Sequence, residues 1–188
     1  MPQSSDFEIA LNLCEQDADK LDCVPACIKT VLDHVHPENG VSKEEIMKMV
    51  GTSKNAFGTR LSNFVNLNRK LLKRKIPFAF ETPDKYESQI TKWEKIVEEA
   101  ANGFPPICFV NRETLKGNNR EDYNSHAIII VGKLGENIKY RDPLILVEND
   151  KGIQIATPQK FNNLDTLVEA FEPTKRPYKP LQGFYIDI

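Results

Sequence analysis

Apolar residues recur with different periods in the two halves of the chain. Up to about residue 103 they fall at helical spacing, whereas from about residue 105 they form the short runs and alternations typical of strands. This change of period predicts an α+β fold with a single domain over residues 1–188. In it, an N-terminal helical lobe, about 15–103, packs on a C-terminal antiparallel sheet, about 105–188.

The first helix is predicted to begin at about Cys23. Asp22 precedes it as a favourable N-cap residue. Pro25 is tolerated because N–H groups in the first turn of a helix have no acceptor within the helix, so the missing N–H of proline costs no hydrogen bond. The His-Pro-Glu-Asn-Gly stretch at 36–40 ends the helix. Its buried stripe is formed by four apolar residues, namely Val24, Ile28, Val31 and Val35.

Capping residues and apolar spacing predict the remaining elements. Ser42 and Glu45 form a capping box at the start of a helix that ends near Gly51. Further helices are predicted over about 59–73 (with Leu61, Phe64, Val65, Leu67 and Leu71 as apolar positions), 86–101 and 158–171. Strands are predicted over about 7–13, 76–81, 106–110, 125–131, 137–142, 145–148, 152–156 and 181–188.

Composition narrows the classes of protein to which the chain can belong. The net charge is −2, with acidic and basic residues interspersed, which argues against a dedicated binder of nucleic acid or of anionic membranes. No apolar run approaches the ~18 residues of a membrane span, and the first residues lack the order of a signal peptide. We therefore expect a cytoplasmic protein with four reduced cysteines. We also expect no cofactor. The sequence does not predict an oligomeric state.

A predicted hairpin places His126 opposite Asp142. The Gly-Lys-Leu-Gly-Glu stretch can form a three-residue loop with Gly135 at its left-handed position. That register pairs Gly132 with Glu136, and hence His126 with Asp142, at a Cβ distance of about 5 Å. A carboxylate at that distance can orient an imidazole and stabilise its charged form. Alternatively, the histidine is a half-buried strand residue and the aspartate a turn residue before the following proline.

Cys23 is the candidate nucleophile. Thiols react as thiolates, and the unpaired N–H groups and positive dipole end of a helix N-terminus stabilise that anion. Cys23 stands at that position and just beside the apolar stripe, where it can be partly exposed. The alternative is a small buried hydrophobic side chain.

Two minor alternatives involve other parts of the chain. Between Arg69 and Lys75, five of seven residues are basic, which keeps nucleic-acid binding open, although cations are favoured at a helix C-terminus in any case. A metal site is a second alternative, but its ligands would be too widely spaced along one helix for a tetrahedral ion. The candidate ligands are Cys14, Cys23, Cys27 and His34.

The chain resembles the papain-like cysteine peptidases of the bacteriocin-processing, double-glycine type. The resemblance extends over about residues 10–188 in the order of elements, and its motifs are Gln16, Asp22-Cys23-Val24-Pro25-Ala26-Cys27, His126 and Asp142-Pro143. Val24 stands where the family usually has glycine. Gln16 precedes the cysteine by one residue more than in the family, and Asn12 is a second amide nearby.

This resemblance implies a papain-like fold and a Cys-His-Asp triad that cleaves a peptide or amide bond. Cys23 would attack the carbonyl carbon, His126 would act as base and Asp142 would orient the imidazole. The Gln16 side chain and a backbone N–H would receive the oxyanion charge. The implied partner is a peptide or protein substrate, with no metal. Acyl transfer on the same scaffold and a non-catalytic binding role are the alternatives.

Overall fold

Most of the described helices and strands lie where the sequence predicts them, with different bounds. The computed structural model describes residues 6–17, 21–53, 58–59, 63–76, 79–81, 96–111, 125–144, 147–148, 154–155, 160–163 and 185–187. Its helices are α1 (Cys23–Val35), α2 (Lys43–Val50) and α3 (Phe64–Lys73), and residues 96–101 are also helical. Its strands are β1 (Phe7–Glu8), β2 (Ala79–Glu81), β3 (Ile107–Asn111), β4 (Ser125–Leu134), β5 (Asn137–Arg141), β6 (Val147–Glu148), β7 (Gln154–Ile155), β8 (Lys160–Asn163) and β9 (Tyr185–Asp187).

The chain forms two compact units, each built from three separate segments. The sheet unit comprises Met1–Ala10, Glu81–Arg141 and Gln159–Tyr185. The helical unit comprises Leu11–Phe80, Asp142–Pro158 and Ile186–Ile188.

Strand β4 is the centre of a five-stranded antiparallel sheet in the sheet unit. One edge of β4 pairs with β5, which in turn pairs with β8, and the other edge pairs with both β3 and β1. Residues 126–131 of β4 are all buried, so both faces of the strand are covered. The run of isoleucine and valine there suits a strand of this kind, because β-branched side chains pack well on a pleated surface.

The hairpin between β4 and β5 is tighter than predicted. Leu134 pairs with Asn137, so the loop is the two-residue turn Gly135-Glu136 rather than a three-residue loop. Gly135 has a φ of +59° at the first central position, as a type II′ turn requires. Gly132 consequently pairs with Lys139 and not with Glu136, and a bulge between Ile130 and Gly132 shifts the register again.

Residues predicted as a helix form strand β8 instead. The interpretation of 158–171 as helix is wrong for Lys160–Asn163, because this segment pairs antiparallel with β5 and Phe161 lies opposite Lys139. The backbone hydrogen bonds of a neighbouring strand outweigh the local helical pattern here. Residues 164–171 lie outside the described part of the chain.

In the helical unit, the predicted apolar faces are mostly buried. Val24, Ile28 and Val31 of α1 are buried as expected, and Val35 is half-buried. In α3, Phe64, Leu67 and Leu71 are buried, whereas Val65 is exposed, contrary to the prediction.

Helix α3 begins later than the pattern predicted. Thr59, the predicted start, lies outside the helix: its hydroxyl lies 2.5 Å from that of Thr52, and Gly58 forms a bridge with Ser53. These contacts hold residues 58–59 outside the helix, which starts at Phe64.

The first strand is also shorter than predicted. Ile9 donates one further backbone hydrogen bond to Val131 at 2.6 Å, after which the chain passes from the sheet unit to the helical unit at Leu11. The predicted strand 7–13 therefore ends at Glu8.

Strands β2 and β9 pair with each other, as do β6 and β7.

Within the described ranges, no helix combines the length and the apolar character needed to traverse a membrane.

Replacing Gly132 by alanine is expected to destabilise the sheet unit. A Cβ atom on Gly132 would lie 2.5 Å from the carbonyl oxygen of Phe7 and 3.2 Å from Cα of Glu8, so the β1 backbone would have to move. We expect the free energy of unfolding, measured by urea denaturation, to fall by about 1–3 kcal/mol. Glu136→Ala is the control, because it shortens an exposed side chain in the same hairpin and adds no atom. A Gly132→Ala protein as stable as the wild type would contradict this close approach.

The capping box of α2 predicts a loss of stability in acid. Hydrogen bonds from Arg74 and then from the Ser42 backbone lower the pKa of Glu45 from its ordinary value of 4.5. The stabilisation is therefore present above 4.5 and is lost as the pH falls through the lowered value. Arg74→Met should make the decline in urea midpoint between about pH 6 and pH 3 shallower than in the wild type. Arg69→Met, which removes an exposed hydrogen bond to Asn66, should leave the slope unchanged; equal slopes in all three proteins would refute the prediction.

Candidate active site

Cys23 is the first residue of α1, as the sequence predicts. The first intrahelical hydrogen bond runs from the Ala26 N–H to the carbonyl of Asp22 at 2.9 Å. The N–H groups of the first turn ahead of it have no carbonyl within the helix and form the positive end of its dipole. The Cys23 thiol is half-buried, so it lies at this helix end without being enclosed in the core.

Asp22 does not cap the helix with its side chain. It occupies the N-cap position, but its φ of −109° and ψ of 22° are not those of an extended cap residue. Its carboxylate instead accepts the backbone N–H of Asp17 at 3.2 Å and forms an ion pair with Lys43 Nζ at 2.9 Å. Asp22 is fully buried, and a buried carboxylate is stabilised far more by an adjacent ammonium than by a helix N–H group alone.

Lys43 is the residue of this region that sequence reasoning missed. It is the first residue of α2, and its Nζ contacts Asp22, Asp17 and the carbonyl of Glu15. Burial alone would lower the pKa of Lys43, but the hydrogen bonds and charges of Asp22 and Asp17 outweigh burial and raise it. The only signal in the sequence was an acidic residue directly before a buried apolar helix, which implies a basic partner without identifying it.

Gln16 lies next to the Asp142-Pro143 turn. Its backbone N–H donates to the carbonyl of Pro143 at 2.8 Å. The side chain of Gln16 is half-buried, whereas that of Asn12, the alternative amide, is exposed. Two motifs that are far apart in the sequence, at 16 and at 142–143, are thereby brought together within the helical unit.

Asp142 forms a local turn directly after β5. Its Oδ1 accepts the N–H of Leu144 at 2.9 Å, across the buried Pro143, which is the Asx turn expected of an aspartate before proline. One carboxylate oxygen thus orders the turn, which fixes the direction of the carboxyl group. This geometry supports the turn interpretation of Asp142 without opposing an orienting role.

His126 is buried near the start of β4. Its exposed fraction is 4%, and its neighbour on β3 is Val110. The predicted register that placed His126 opposite Asp142 is wrong. Arg141 pairs with Ile129, whereas that register would have required Arg141 to pair with Ala127. The two-residue turn and the bulge together account for the difference of two positions.

The predicted site residues are divided between the two units. Gln16, Cys23 and Asp142 belong to the helical unit and His126 to the sheet unit. The contact between Gln16 and the Asp142-Pro143 turn is therefore observed, whereas the meeting of the imidazole with the thiol stays a prediction.

The other three cysteines, like Cys23, are thiols and not disulfides. Cys27 and Cys108 are buried, and complete burial raises the pKa of Cys108. Partial burial also raises the pKa of Cys14, although the ammonium groups of Lys43 and Lys29 act in the opposite direction. Among the described residues, no group of three or more His, Cys, Asp and Glu side chains is placed to hold a metal ion, so the metal alternative finds no site there.

Comparison with known proteins finds a solved structure whose fold resembles this one over nearly the whole chain. No family model matches the sequence, and no curated protein matches it. A crystal structure from Bacillus anthracis, described as a candidate C39-like peptidase, is similar to this chain with a TM-score of 0.58 over 98% of each chain, at 12% sequence identity. The fold is α+β and papain-like. The predicted fold class is thus confirmed.

The burial of the cysteines predicts their order of reaction. Iodoacetamide near neutral pH should alkylate Cys23 first, because it is partly exposed at a helix N-terminus. Cys14 and Cys108 should react more slowly, since burial raises the pKa of both thiols. Peptide mass spectrometry after timed quenching measures the rate at each site. The Cys23→Ser protein should lose the fastest adduct, and faster labelling of Cys14 or Cys108 than of Cys23 would contradict the prediction.

Proposed function

We propose that this protein is a thiol-dependent hydrolase that cleaves a peptide or amide bond, with Cys23 as its nucleophile. The observation that carries the proposal is a half-exposed thiol at the first residue of α1, in a chain whose papain-like fold is shared over its length with a candidate C39-like peptidase. A helix N-terminus is where a thiolate is stabilised by backbone N–H groups, so this thiol suits nucleophilic chemistry better than a buried one does.

In the proposed mechanism, His126 takes the proton of the Cys23 thiol, and Asp142 orients the imidazole. The thiolate sulfur attacks the carbonyl carbon, and the charge on the resulting oxyanion is received by the Cys23 N–H and the Gln16 side chain. The C–N bond then breaks as His126 protonates the leaving amine, which produces a thioester. Water, deprotonated by His126, attacks the thioester and releases the acid and the free thiol.

Different observations support the proposed roles of Asp142, Gln16 and His126. For Asp142, the Asx turn orders its carboxyl group directly after β5. For Gln16, the hydrogen bond to Pro143 places its backbone beside the Asp142 turn. His126 is supported by the sequence resemblance and by its burial on the central strand, where an imidazole is held in a fixed orientation.

The proposal is tested by activity on a peptide mixture in heavy-oxygen water. The wild-type protein should generate new peptide termini that carry the heavy isotope, detected by mass spectrometry. Cys23→Ser and His126→Ala should lower the cleavage rate by on the order of 10³ or more, and Asp142→Asn by about tenfold or more. His34→Ala, at the other end of α1, is the matched control and should cleave as the wild type does.

Two results would reject the proposal. Cleavage that survives in Cys23→Ser would exclude this thiol as the nucleophile. Full-rate alkylation of Cys23 without cleavage of any peptide would leave the binding alternative.

If an added primary amine captures the acyl group in place of water, the products are amides without the heavy isotope, and the protein is an acyltransferase on the same site.

A further inference from the structure

Lys43 connects α2 with the chain segment that precedes the candidate nucleophile. Its ammonium lies 2.9 Å from Asp22 Oδ2 and 3.3 Å from Asp17 Oδ2, and it donates to the carbonyl of Glu15 at 2.9 Å. The Lys43 side chain is 12% exposed, while that of Asp22 is fully buried. This ion pair is therefore largely removed from solvent, unlike the exposed pair of Arg74 and Glu45.

The segment 14–17 is held by a hydrogen bond at each of its four residues. Cys14 N–H donates to Thr30 Oγ1 on α1 at 2.9 Å, and the Glu15 carbonyl accepts from Lys43. The Gln16 and Asp17 N–H groups donate to Pro143 and to Asp22, respectively. Lys43 is the only charged donor among these contacts, and it binds this segment on both sides of Gln16.

The ion pair of Lys43 and Asp22 is expected to fix the local geometry more than it stabilises the folded protein. A buried ion pair gains little net stability over apolar side chains of the same volume, because both charges lose their hydration. What such a pair provides is a defined arrangement, since its ammonium has to satisfy several oxygen atoms at once. Here those oxygen atoms belong to the residue before Cys23 and to the two residues that flank Gln16.

We propose that Lys43 is a positioning residue for the oxyanion site, which fixes the Gln16 segment against the N-terminus of α1. The inference rests on the proposed function in so far as Gln16 serves as an oxyanion donor. Lys43 itself does not touch the substrate; it acts through Glu15, Asp17 and Asp22. The raised pKa of Lys43 keeps the ammonium charged, and hence the segment held, throughout the neutral range.

The structural part of the proposal is tested by hydrogen exchange, without any substrate. Lys43→Met leaves the Asp22 carboxylate buried and uncompensated and can unfold the protein, so Asp22→Asn/Lys43→Met is the second variant. In that double variant the Gln16 and Asp17 amides should exchange at least about tenfold faster than in the wild type, while those of β4 remain unchanged. The Lys43→Arg protein should keep the slow exchange of the wild type. Lys48→Met, at an exposed position of the same helix, should leave the exchange of Gln16 and Asp17 unchanged. Wild-type protection of Gln16 and Asp17 in the double variant would overturn the proposal.

The catalytic part is tested by steady-state kinetics on any peptide that the wild-type protein cleaves. The double variant should lower kcat at least about tenfold with little change in KM, as should Gln16→Ala, because both impair only the transition state. Adding Gln16→Ala to the double variant should cause no further loss, since both changes remove the same donor. Additive losses, or an unchanged kcat, would overturn the positioning role. Absence of cleavage by the wild-type protein would instead reject the proposed function, while the exchange result would still decide whether Lys43 fixes the segment.

Discussion

A carboxylate without access to water has to be balanced by charge, and the structure around Cys23 is arranged to balance that of Asp22. The ammonium of Lys43 comes from the first turn of α2, so the N-termini of two helices meet through one ion pair. Because the same ammonium also binds the Glu15 carbonyl, it ties Glu15 to the N-termini of both helices. The candidate nucleophile thus follows directly after the buried member of this ion pair.

The features that sequence reasoning predicted correctly depend on neighbours in the chain. The start of α1 at Cys23 follows from Pro25 and the apolar spacing after it. The capping box of Ser42 and Glu45 forms as predicted, and Gly51 ends α2 in the left-handed conformation. In each case the deciding contacts lie within a few residues, so the local pattern contains the necessary information.

The features that it missed depend on residues far apart. The sequence indicates a turn at Gly135, but the loop is the two residues 135–136 rather than the three residues 133–135. This shift of the loop, together with one bulge, changes the residue that pairs with Arg141. The residues around Phe161 have a helical pattern, but they form a strand that pairs with β5. For the candidate site, the sequence supplied Cys23 and its helix, whereas the partner of Asp22 and the contact between Gln16 and Pro143 arise from tertiary structure. No local rule distinguishes Lys43 from the other lysines.

The path of the chain between the two units bears on how the protein is synthesised. Each unit contains segments from both ends of the sequence, and Phe7 finds its strand partner only at Lys133. While the ribosome is still adding the second half, β1 has no edge to join, and the helical unit lacks the segment that begins at Asp142. Pairing between segments so far apart in the sequence slows folding, because they must meet before their contacts stabilise them. The sheet unit is therefore complete only after Gln159–Tyr185 has been added, and no fragment confined to one half of the chain contains all the segments of either unit.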